Sequence, residues 1–346
     1  KTPGHPEFRI TPGVETTTGP LGQGIANAVG MALAEKLLSL KFNKEELNLV
    51  DHFTYAFCGD GCLMEGVSHE ACSLAGTLNL GKLIIFYDDN NISIDGEVSG
   101  WFTEDIPKRF QSYGWHVIPN IDGHDYKQID KAVTEAKQNK DQPSIICCKT
   151  KIGKGSPNKE GTASSHGSAL GEEEVLLTRK ELDWEHPPFH FPKDIYSKWD
   201  AKDEGNKNEE KWNKLFNEYS KKYPDNAKEF IRCTSNQLPK GFEQEINSFI
   251  EELQENQEDM ASRKSSEVVL NFLGPLLPEL IGGSADLSGS NNTRWKGTRS
   301  INEIATEGNY LYYGVREFAM TGIVNGLVLH GGVKPYAGTF LTFLDY

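Results

Sequence analysis

Asp60 and Asn90 are the two side chains whose positions point most directly to chemistry, because each follows a predicted buried strand. The first strand, Phe53 to Cys58, runs into a Gly-Asp-Gly turn, and a helix of small residues separates it from the second strand, Lys82 to Asp89. A strand–turn–helix–strand order predicts two parallel strands. We therefore expect Asp60 and Asn90 at one carboxyl edge of a sheet, which is where open α/β sheets bind ligands.

The chemistry expected at this edge is the binding of a diphosphate together with a divalent cation. Gly59 and Gly61 let the backbone approach a phosphate closely and allow a positive φ angle. A helix predicted to begin near Leu63 would offer free N–H groups to an anion. Asp60 and the amide oxygen of Asn90 are hard ligands that suit Mg²⁺ or Ca²⁺. The alternative is an ordinary strand-to-helix turn, which the second polar strand end at Asn90 disfavours.

The N-terminal loop carries further candidates. Gly19 and Gly22 stand before a helix that is predicted from the i+4 spacing of apolar residues beginning at Ile25. These glycines mark either a second place where the backbone meets a ligand or a plain turn into the helix. His5 also lies in this loop, and a loop histidine is more often a solvated residue than a catalytic one.

A long Gly/Ser/Lys loop at 151–171 leaves the carboxyl end of a predicted strand, Ser144–Cys148, on the same edge as Asp60. Loops of this length in a compact domain are usually functional or disordered. His166 lies in this loop, so it is a candidate for the site. The acidic run Glu172–Glu174 follows at a predicted helix start, where the helix dipole explains it.

The C-terminal part of the sequence holds a carboxylate and an aromatic set. Glu317 stands in the first turn of an otherwise apolar helix that is predicted to reach His330. It is either a dipole-favoured carboxylate or a buried acid with a shifted pKa. Phe340, Phe343 and Tyr346 recur at intervals of three, which is not strand alternation, so the chain bends or turns there. They either pack in the core or hold a flat ring.

The elements that position these residues alternate between strands and helices. From residue 53 to 150 this alternation favours a doubly wound parallel sheet. A second α/β unit begins near Ser262 and ends in a strand that reaches Phe343. The charged helical stretch between the two units contains linker candidates at Lys202–Glu210 and Pro224–Pro239. The predicted fold class is therefore α/β, with mainly parallel sheets flanked by helices.

Composition narrows the function classes. A chain of 346 residues is long enough for two or more domains. A net charge of −14 argues against nucleic acid or an anionic membrane as the main partner. Six cysteines show no disulfide framework, and no apolar run reaches membrane-spanning length. No signal peptide is visible either, so the cytoplasm is the default location that we expect.

The two ends of the sequence are unusual. The chain begins at Lys1 without a methionine, and it stops at Tyr346 inside an apolar, strand-like run. We expect the sequence to be an excerpt of a longer polypeptide. Expressed alone, this 346-residue polypeptide is expected to be inactive and poorly folded.

The stretch GDGCLMEGVSHEACSLAGTLNLGKLIIFYDDNNISIDG resembles transketolase, and a GDG followed by a spaced NN is similar to the thiamine diphosphate (ThDP) motif. The resemblance covers the chain from KTPGHPE to FLTFLDY, with separate motifs in the family's order. It implies two ThDP-binding-fold domains: a pyrophosphate-binding domain at 1–225 without its N-terminal part, and a truncated pyrimidine-binding domain at 261–346, joined by a helical linker region at 226–260. It also implies a cytoplasmic homodimer that binds ThDP between subunits and acts in the pentose phosphate pathway.

The resemblance assigns ligands residue by residue. The implied metal ligands are Asp60, Asn90 and the backbone of Ile92, for Mg²⁺, with Ca²⁺ or Mn²⁺ as alternatives. The loop from Gly19 to Leu21 would lie against the cofactor's rings, and Asp286 beside its thiazolium. The full set of implied cofactor-binding residues is Gly19, Pro20, Leu21, Gly59, Asp60, Gly61, Asn90, His166, Asp286, Phe340, Phe343 and Tyr346.

The resemblance also implies a reaction, the transfer of a two-carbon ketol group from a ketose phosphate such as xylulose 5-phosphate to an aldose phosphate such as ribose 5-phosphate. Glu317 matches the family's catalytic glutamate, which bonds N1′ of the aminopyrimidine and favours the tautomer that generates the reactive ThDP ylide. His5 and His166 match histidines that move protons at the reacting carbon and bind substrate. Arg263 and Ser290 match residues that hold the sugar phosphate.

The sequence departs from the family in two respects. Ala163 stands where many members have a further histidine, and the family's N-terminal stretch and C-terminal regions are missing. The alternatives are another ThDP enzyme, either dihydroxyacetone synthase or 1-deoxyxylulose-5-phosphate synthase, or a catalytically silent ThDP-binding homologue. His5 and His166 disfavour the second enzyme, which uses pyruvate. A nicotinamide dehydrogenase is disfavoured because no G-x-G-x-x-G follows the first strand.

Overall fold

The computed structural model of the protein describes residues 5–301 and 308–345. The helices are α1 (Gln23–Phe42), α2 (Asp60–Met64), α3 (Gly66–Thr77), α4 (Ile106–Ser112), α5 (Tyr126–Gln138), α6 (Glu172–Glu181), α7 (Lys193–Trp199), α8 (Lys202–Lys222), α9 (Pro224–Thr234), α10 (Phe242–Asn256), α11 (Ser262–Leu276) and α12 (Glu317–His330). The strands are β1 (Thr54–Gly59), β2 (Leu83–Asp89), β3 (Ile92–Ser93), β4 (Gly96–Glu97), β5 (His116–Asp122), β6 (Ser144–Lys149), β7 (Leu280–Ser284), β8 (Tyr310–Tyr312) and β9 (Lys334–Pro335).

The first sheet is parallel and has the strand order β1-β2-β6-β5. Residues alternate between its faces, and both faces are covered: Leu83 and Ile85 pack into one hydrophobic cluster, whereas Ile84 and Ile146 pack into another on the opposite side. This explains why β2 and β6 are nearly continuous apolar runs. The predicted doubly wound parallel sheet is confirmed.

The second sheet is small and also parallel, with the order β8-β7-β9. The predicted helix from Glu317 to His330 is confirmed as α12. The predicted strand that ends at Phe343 is wrong, because Leu341–Phe343 forms a 3₁₀ turn. There, Phe343 N–H donates to the carbonyl of Phe340 at 2.9 Å, so the backbone is satisfied locally instead of in a ladder.

The two sheets are joined by α1 and α12, whose backbones lie in contact. A Cβ atom added at Gly30 would lie 2.2 Å from the carbonyl oxygen of Ile323, and one added at Gly326 would lie 2.1 Å from that of Asn27. Glycine is therefore required at these positions for the helices to approach so closely. The sequence predicted an apolar face on α1 but not the helix that packs on it.

The charged stretch between the sheets is helical and packs on the first unit. Tyr219 of α8 is fully buried, and its hydroxyl donates to the carbonyl of Phe42 at 2.6 Å. Phe230 of α9 meets Phe42 edge-to-face. The linker candidate at Lys202–Glu210 forms the first half of α8, and its role as a linker stays a prediction. Its low apolar content reflects an exposed helix surface.

The other linker candidate, Pro224–Pro239, contains α9, and Pro224 occupies its first helical turn. The role of this region as a linker stays a prediction. Arg232 of this helix also forms an ion pair with buried Glu279 at 2.6 Å, just before β7. The domain boundaries at 225/226 and 260/261 stay predictions.

All six cysteines are free thiols. Within the described ranges, no helix combines the length and apolar character needed to cross a bilayer.

We predict that Gly30→Ala destabilises the protein by roughly 1–3 kcal/mol, because the added methyl group forces α1 away from α12. Equilibrium unfolding in denaturant measures this change. The control is Gly205→Ala in exposed α8, where an added Cβ meets nothing within 4 Å. This control should stabilise the protein by about 0.5–1 kcal/mol. Equal effects of the two substitutions would contradict the helix contact.

Candidate active site

Asp60 and Asn90 lie at the same edge of the first sheet, as predicted. Asp60 is the first residue of α2, directly after β1, and Asn90 follows the last residue of β2. The strands are parallel and pair Gly59 with Asp88, which brings their carboxyl ends to one level. The local order of strand, turn and helix therefore suffices to place both polar residues at one edge.

The Gly-Asp-Gly turn differs from expectation in its backbone. Gly59 has an extended conformation with φ −112°, so it does not need the left-handed region. The helix begins at Asp60 rather than near Leu63, and α2 spans only five residues. A Cβ added at Gly61 would lie 3.0 Å from Leu21 Cδ1, so the two predicted cofactor-binding loops meet here.

The carboxylate of Asp60 is buried, with 4% of the residue exposed. The hydroxyl of Tyr87 donates a hydrogen bond to Oδ1. The other oxygen, Oδ2, is buried and has no hydrogen-bond partner within the part of the chain that the structure describes. Burial raises the pKa of Asp60, and the hydrogen bond from Tyr87 opposes this rise. An unpaired oxygen of this kind fits the direct binding of a cation.

Asn90 and Ile92 form a tight turn beside this carboxylate. The side-chain Oδ1 of Asn90 accepts a hydrogen bond from Ile92 N–H at 2.9 Å. Asn91, between them, adopts a left-handed conformation with φ 60°. An amide oxygen has two lone pairs, so Asn90 Oδ1 can bind a cation while it keeps this bond. The oxygen donors of this edge fit a hard divalent cation, although the metal roles of these residues stay predictions.

A cavity of about 320 Å³ lies beside the glycine-rich loop before α1. Pro20, Leu21 and Cys62 line it, so it borders the Gly-Asp-Gly turn. The ring of His5 packs close to Gly19, within 3.9 Å of the position of an added Cβ. The structure thus brings His5 next to Gly19, and Leu21 next to Gly61 of the turn.

The carboxylate of Glu174 holds the loop at 151–171 through several hydrogen bonds. Glu174 accepts hydrogen bonds from the hydroxyl of Ser156 and from both the backbone N–H and the side-chain amide of Asn158, each of the latter at 2.9 Å. The helix dipole alone therefore does not account for Glu174. His166 is half-buried in this loop, and its Nδ1 lacks a partner among the described residues.

The remaining candidates lie at the carboxyl edge of the second sheet. Asp286 follows β7 in a left-handed conformation with φ 57°, and Glu317 opens α12 shortly after β8. Arg263 donates to the carbonyl of Ser290 at 3.3 Å, so the two predicted phosphate-binding residues are neighbours. The predicted site residues of this sheet also include the partly exposed Phe340 and Phe343, whereas Tyr346 lies outside the described residues.

The start of α12 is held against α3 by contacts that sequence reasoning missed. The carboxylate of Glu70 accepts a hydrogen bond from Ala319 N–H at 2.9 Å, and Arg316 donates to the hydroxyl of Ser73 at 3.2 Å. These contacts fix Glu317, which is half-buried, at the boundary between the two sheets. No local pattern indicates them, because the partners lie more than 200 residues apart.

We predict that Glu174→Gln weakens the hydrogen bonds that hold the 151–171 loop and changes how their strength depends on pH. Hydrogen bonds hold the pKa of Glu174 below its ordinary value of 4.5. Because the folded-state pKa is lowered, this stabilisation is present above the unfolded pKa and is lost as the pH falls through the folded value. Hydrogen exchange of the Asn158 amide against pH measures it. The same pH dependence of exchange in the variant and in the wild type would contradict this role of Glu174.

Comparisons with known proteins agree with this arrangement. The family model "Transketolase, thiamine diphosphate binding domain" matches residues 1–239, and "Transketolase, pyrimidine binding domain" matches 258–346. Transketolase 1 of Escherichia coli (strain K12) is 59% identical over the whole chain, which covers 52% of that relative. Transketolase 2 of Vibrio vulnificus is 57% identical with the same coverage. The chain therefore spans about half the length of the curated relatives it matches.

Solved structures give the same result. Transketolase from Leishmania mexicana superposes with a TM-score of 0.91 at 43% identity and covers all of this chain and 51% of its own. A Pichia stipitis transketolase in complex with sedoheptulose 7-phosphate has a TM-score of 0.91 at 42% identity, covering all of this chain and 52% of its own.

Proposed function

The chain belongs to the transketolase family, and from this premise we propose that it contributes to a ThDP-dependent ketol transfer between sugar phosphates. The donor would be a ketose phosphate such as xylulose 5-phosphate, and the acceptor an aldose phosphate such as ribose 5-phosphate. The observation that supports this most directly is the buried Asp60, with one unpaired oxygen, beside the Gly-Asp-Gly turn. Such an oxygen fits a cation that would hold a diphosphate at this edge.

The cation would be bound by the carboxylate of Asp60, the amide oxygen of Asn90 and the backbone of Ile92. We propose Mg²⁺, with Ca²⁺ or Mn²⁺ as alternatives, because all these donors are oxygens. Mg²⁺ usually takes only a few protein ligands and completes its shell with phosphate and water. The dipole of α2 would contribute little, because this helix has only five residues.

ThDP would supply the carbon nucleophile that the reaction needs, and the protein would bind and orient it. Gly59 and Gly61 would face the diphosphate. The loop of Gly19, Pro20 and Leu21 would lie against the rings, next to the cavity that Leu21 lines. The other cofactor-binding residues of the proposal lie on the 151–171 loop or in the second unit, and they are His166, Asp286, Phe340, Phe343 and Tyr346.

Glu317 would hold a proton at N1′ of the aminopyrimidine and so, through the conjugated ring, control the proton on the 4′-amino group at the opposite ring position. Its place at the start of α12, fixed by Glu70 and Arg316, supports a role that needs orientation. His5 and His166 would move protons at the substrate's reacting carbon. Arg263 and Ser290 would hold the sugar phosphate, and the contact between them supports a shared role.

The candidates fall into two groups, one at the edge of each sheet. This division supports a homodimer in which the first group from one subunit meets the second group from its partner. We therefore propose that ThDP binds between two copies of the protein. We also propose that the reaction belongs to the pentose phosphate pathway in the cytoplasm. Dihydroxyacetone synthase, 1-deoxyxylulose-5-phosphate synthase and a silent homologue are not favoured, because the close relatives are transketolases.

We predict ketol transfer from xylulose 5-phosphate to ribose 5-phosphate that requires both ThDP and Mg²⁺. The assay uses the protein expressed from its complete gene, with each cofactor omitted in turn and with pyruvate as a competing donor. Transfer that needs both cofactors and ignores pyruvate supports the proposal. Turnover of pyruvate, or saturable ThDP binding without any turnover, would contradict it.

We predict that Glu317→Gln lowers kcat by roughly 10²–10⁴, because the variant cannot hold the proton in the same way. ThDP should still bind, as its other ligands are unchanged. The matched control is Glu243→Gln, which removes another acid from the first turn of a helix, α10, at an exposed position. The control should leave kcat unchanged. If both substitutions changed kcat equally little, Glu317 would have no catalytic role and would only interact favourably with the helix dipole.

A further inference from the structure

Tyr87 contacts the Asp60 carboxylate directly, although it is not one of the residues proposed above to bind cofactor or substrate. Its hydroxyl donates to Oδ1, while Oδ2 stays buried and unpaired within the described ranges. We propose that Tyr87 is a positioning residue that directs the cation to Oδ2 of Asp60, and thereby favours Mg²⁺ over Ca²⁺. This inference rests on the proposed function.

The position of Tyr87 is set by the sheet. It lies on β2, where the parallel register pairs it with Cys58 on β1, two residues before Asp60. The side chain is 3% exposed and packs in the main hydrophobic cluster together with Leu63 of α2. A buried aromatic ring has few alternative positions, so the hydroxyl is fixed relative to the carboxylate.

The hydrogen bond separates the roles of the two carboxylate oxygens. Oδ1 accepts a hydrogen bond from the tyrosine hydroxyl, which partly compensates for the loss of hydrogen bonds to water on burial. Oδ2 has no such donor and is left for a cation. Outer partners of this kind orient a ligand, and removing one typically costs 10–100-fold in metal affinity.

A carboxylate that favours binding through one oxygen distinguishes between the two cations. Mg²⁺ needs near-ideal octahedral geometry with short bonds, and it binds carboxylates through one oxygen. Ca²⁺ accepts six to eight ligands and often takes both oxygens of one carboxylate. With Tyr87 on Oδ1, a cation bound through both oxygens would share Oδ1 with the hydroxyl proton, whereas Oδ2 has no such donor, so binding through Oδ2 alone is favoured. Without Tyr87, Asp60 becomes free to bind Ca²⁺ through both.

The test is Tyr87→Phe, which keeps the buried ring and removes only the hydroxyl. The protein is expressed from its complete gene and titrated with Mg²⁺ or Ca²⁺ in the presence of ThDP, with calorimetry as the readout. We expect the Mg²⁺ affinity to fall roughly 10-fold. The Ca²⁺ affinity should fall less or rise, so the ratio of the two affinities moves toward Ca²⁺.

The control is Tyr219→Phe, which removes an equally buried hydroxyl whose hydrogen bond goes to the carbonyl of Phe42. This variant should lower the melting temperature but leave both cation affinities unchanged. Unchanged affinities in Tyr87→Phe, or equal losses for both cations, would overturn the inference while the proposed function stands. ThDP binding by the wild type without any divalent cation would overturn both the proposed function and the inference.

Discussion

Burying a carboxylate with one unpaired oxygen costs free energy, and such a carboxylate lies at the edge of the first sheet. Asp60 has one oxygen bonded to Tyr87 and the other without a partner among the described residues. A cation at this oxygen would offset the cost of burial. Parallel pairing of β1 and β2 then brings the second predicted ligand, Asn90, to the same edge. The proposed cofactor chemistry depends on this pairing.

The second constraint is the close contact of α1 and α12. Glycines at positions such as Gly30 and Gly326 let the backbones touch, so the two sheets are joined by rigid elements rather than by loops. The start of α12 is also tied to α3 through Glu70 and Arg316. Glu317 is therefore placed by the contact between the two units and not by its own sheet alone. A carboxylate that controls a proton needs such fixed placement.

Sequence patterns predicted what depends on local order. The edge position of Asp60 and Asn90 follows from the strand–helix–strand order, and the limits of α12 follow from its apolar run. The predicted strand to Phe343 failed because the backbone there closes on itself in a 3₁₀ turn. Tyr87, Glu70 and Glu174 were missed or misread because their roles come from contacts with residues distant in sequence. The catalytic roles of the histidines and of Glu317 depend on a bound cofactor, and so they stay proposals.

The most direct test of the central claim is a binding titration of ThDP to the wild type and to Asp60→Asn, each with and without Mg²⁺. The asparagine can still accept the hydrogen bond from Tyr87, but it replaces the anionic oxygen with an amide nitrogen that donates. We predict Mg²⁺-dependent ThDP binding in the wild type and the loss of that dependence in the variant. The same Mg²⁺-dependent affinity in both proteins would contradict the account, because the cation would then be held elsewhere.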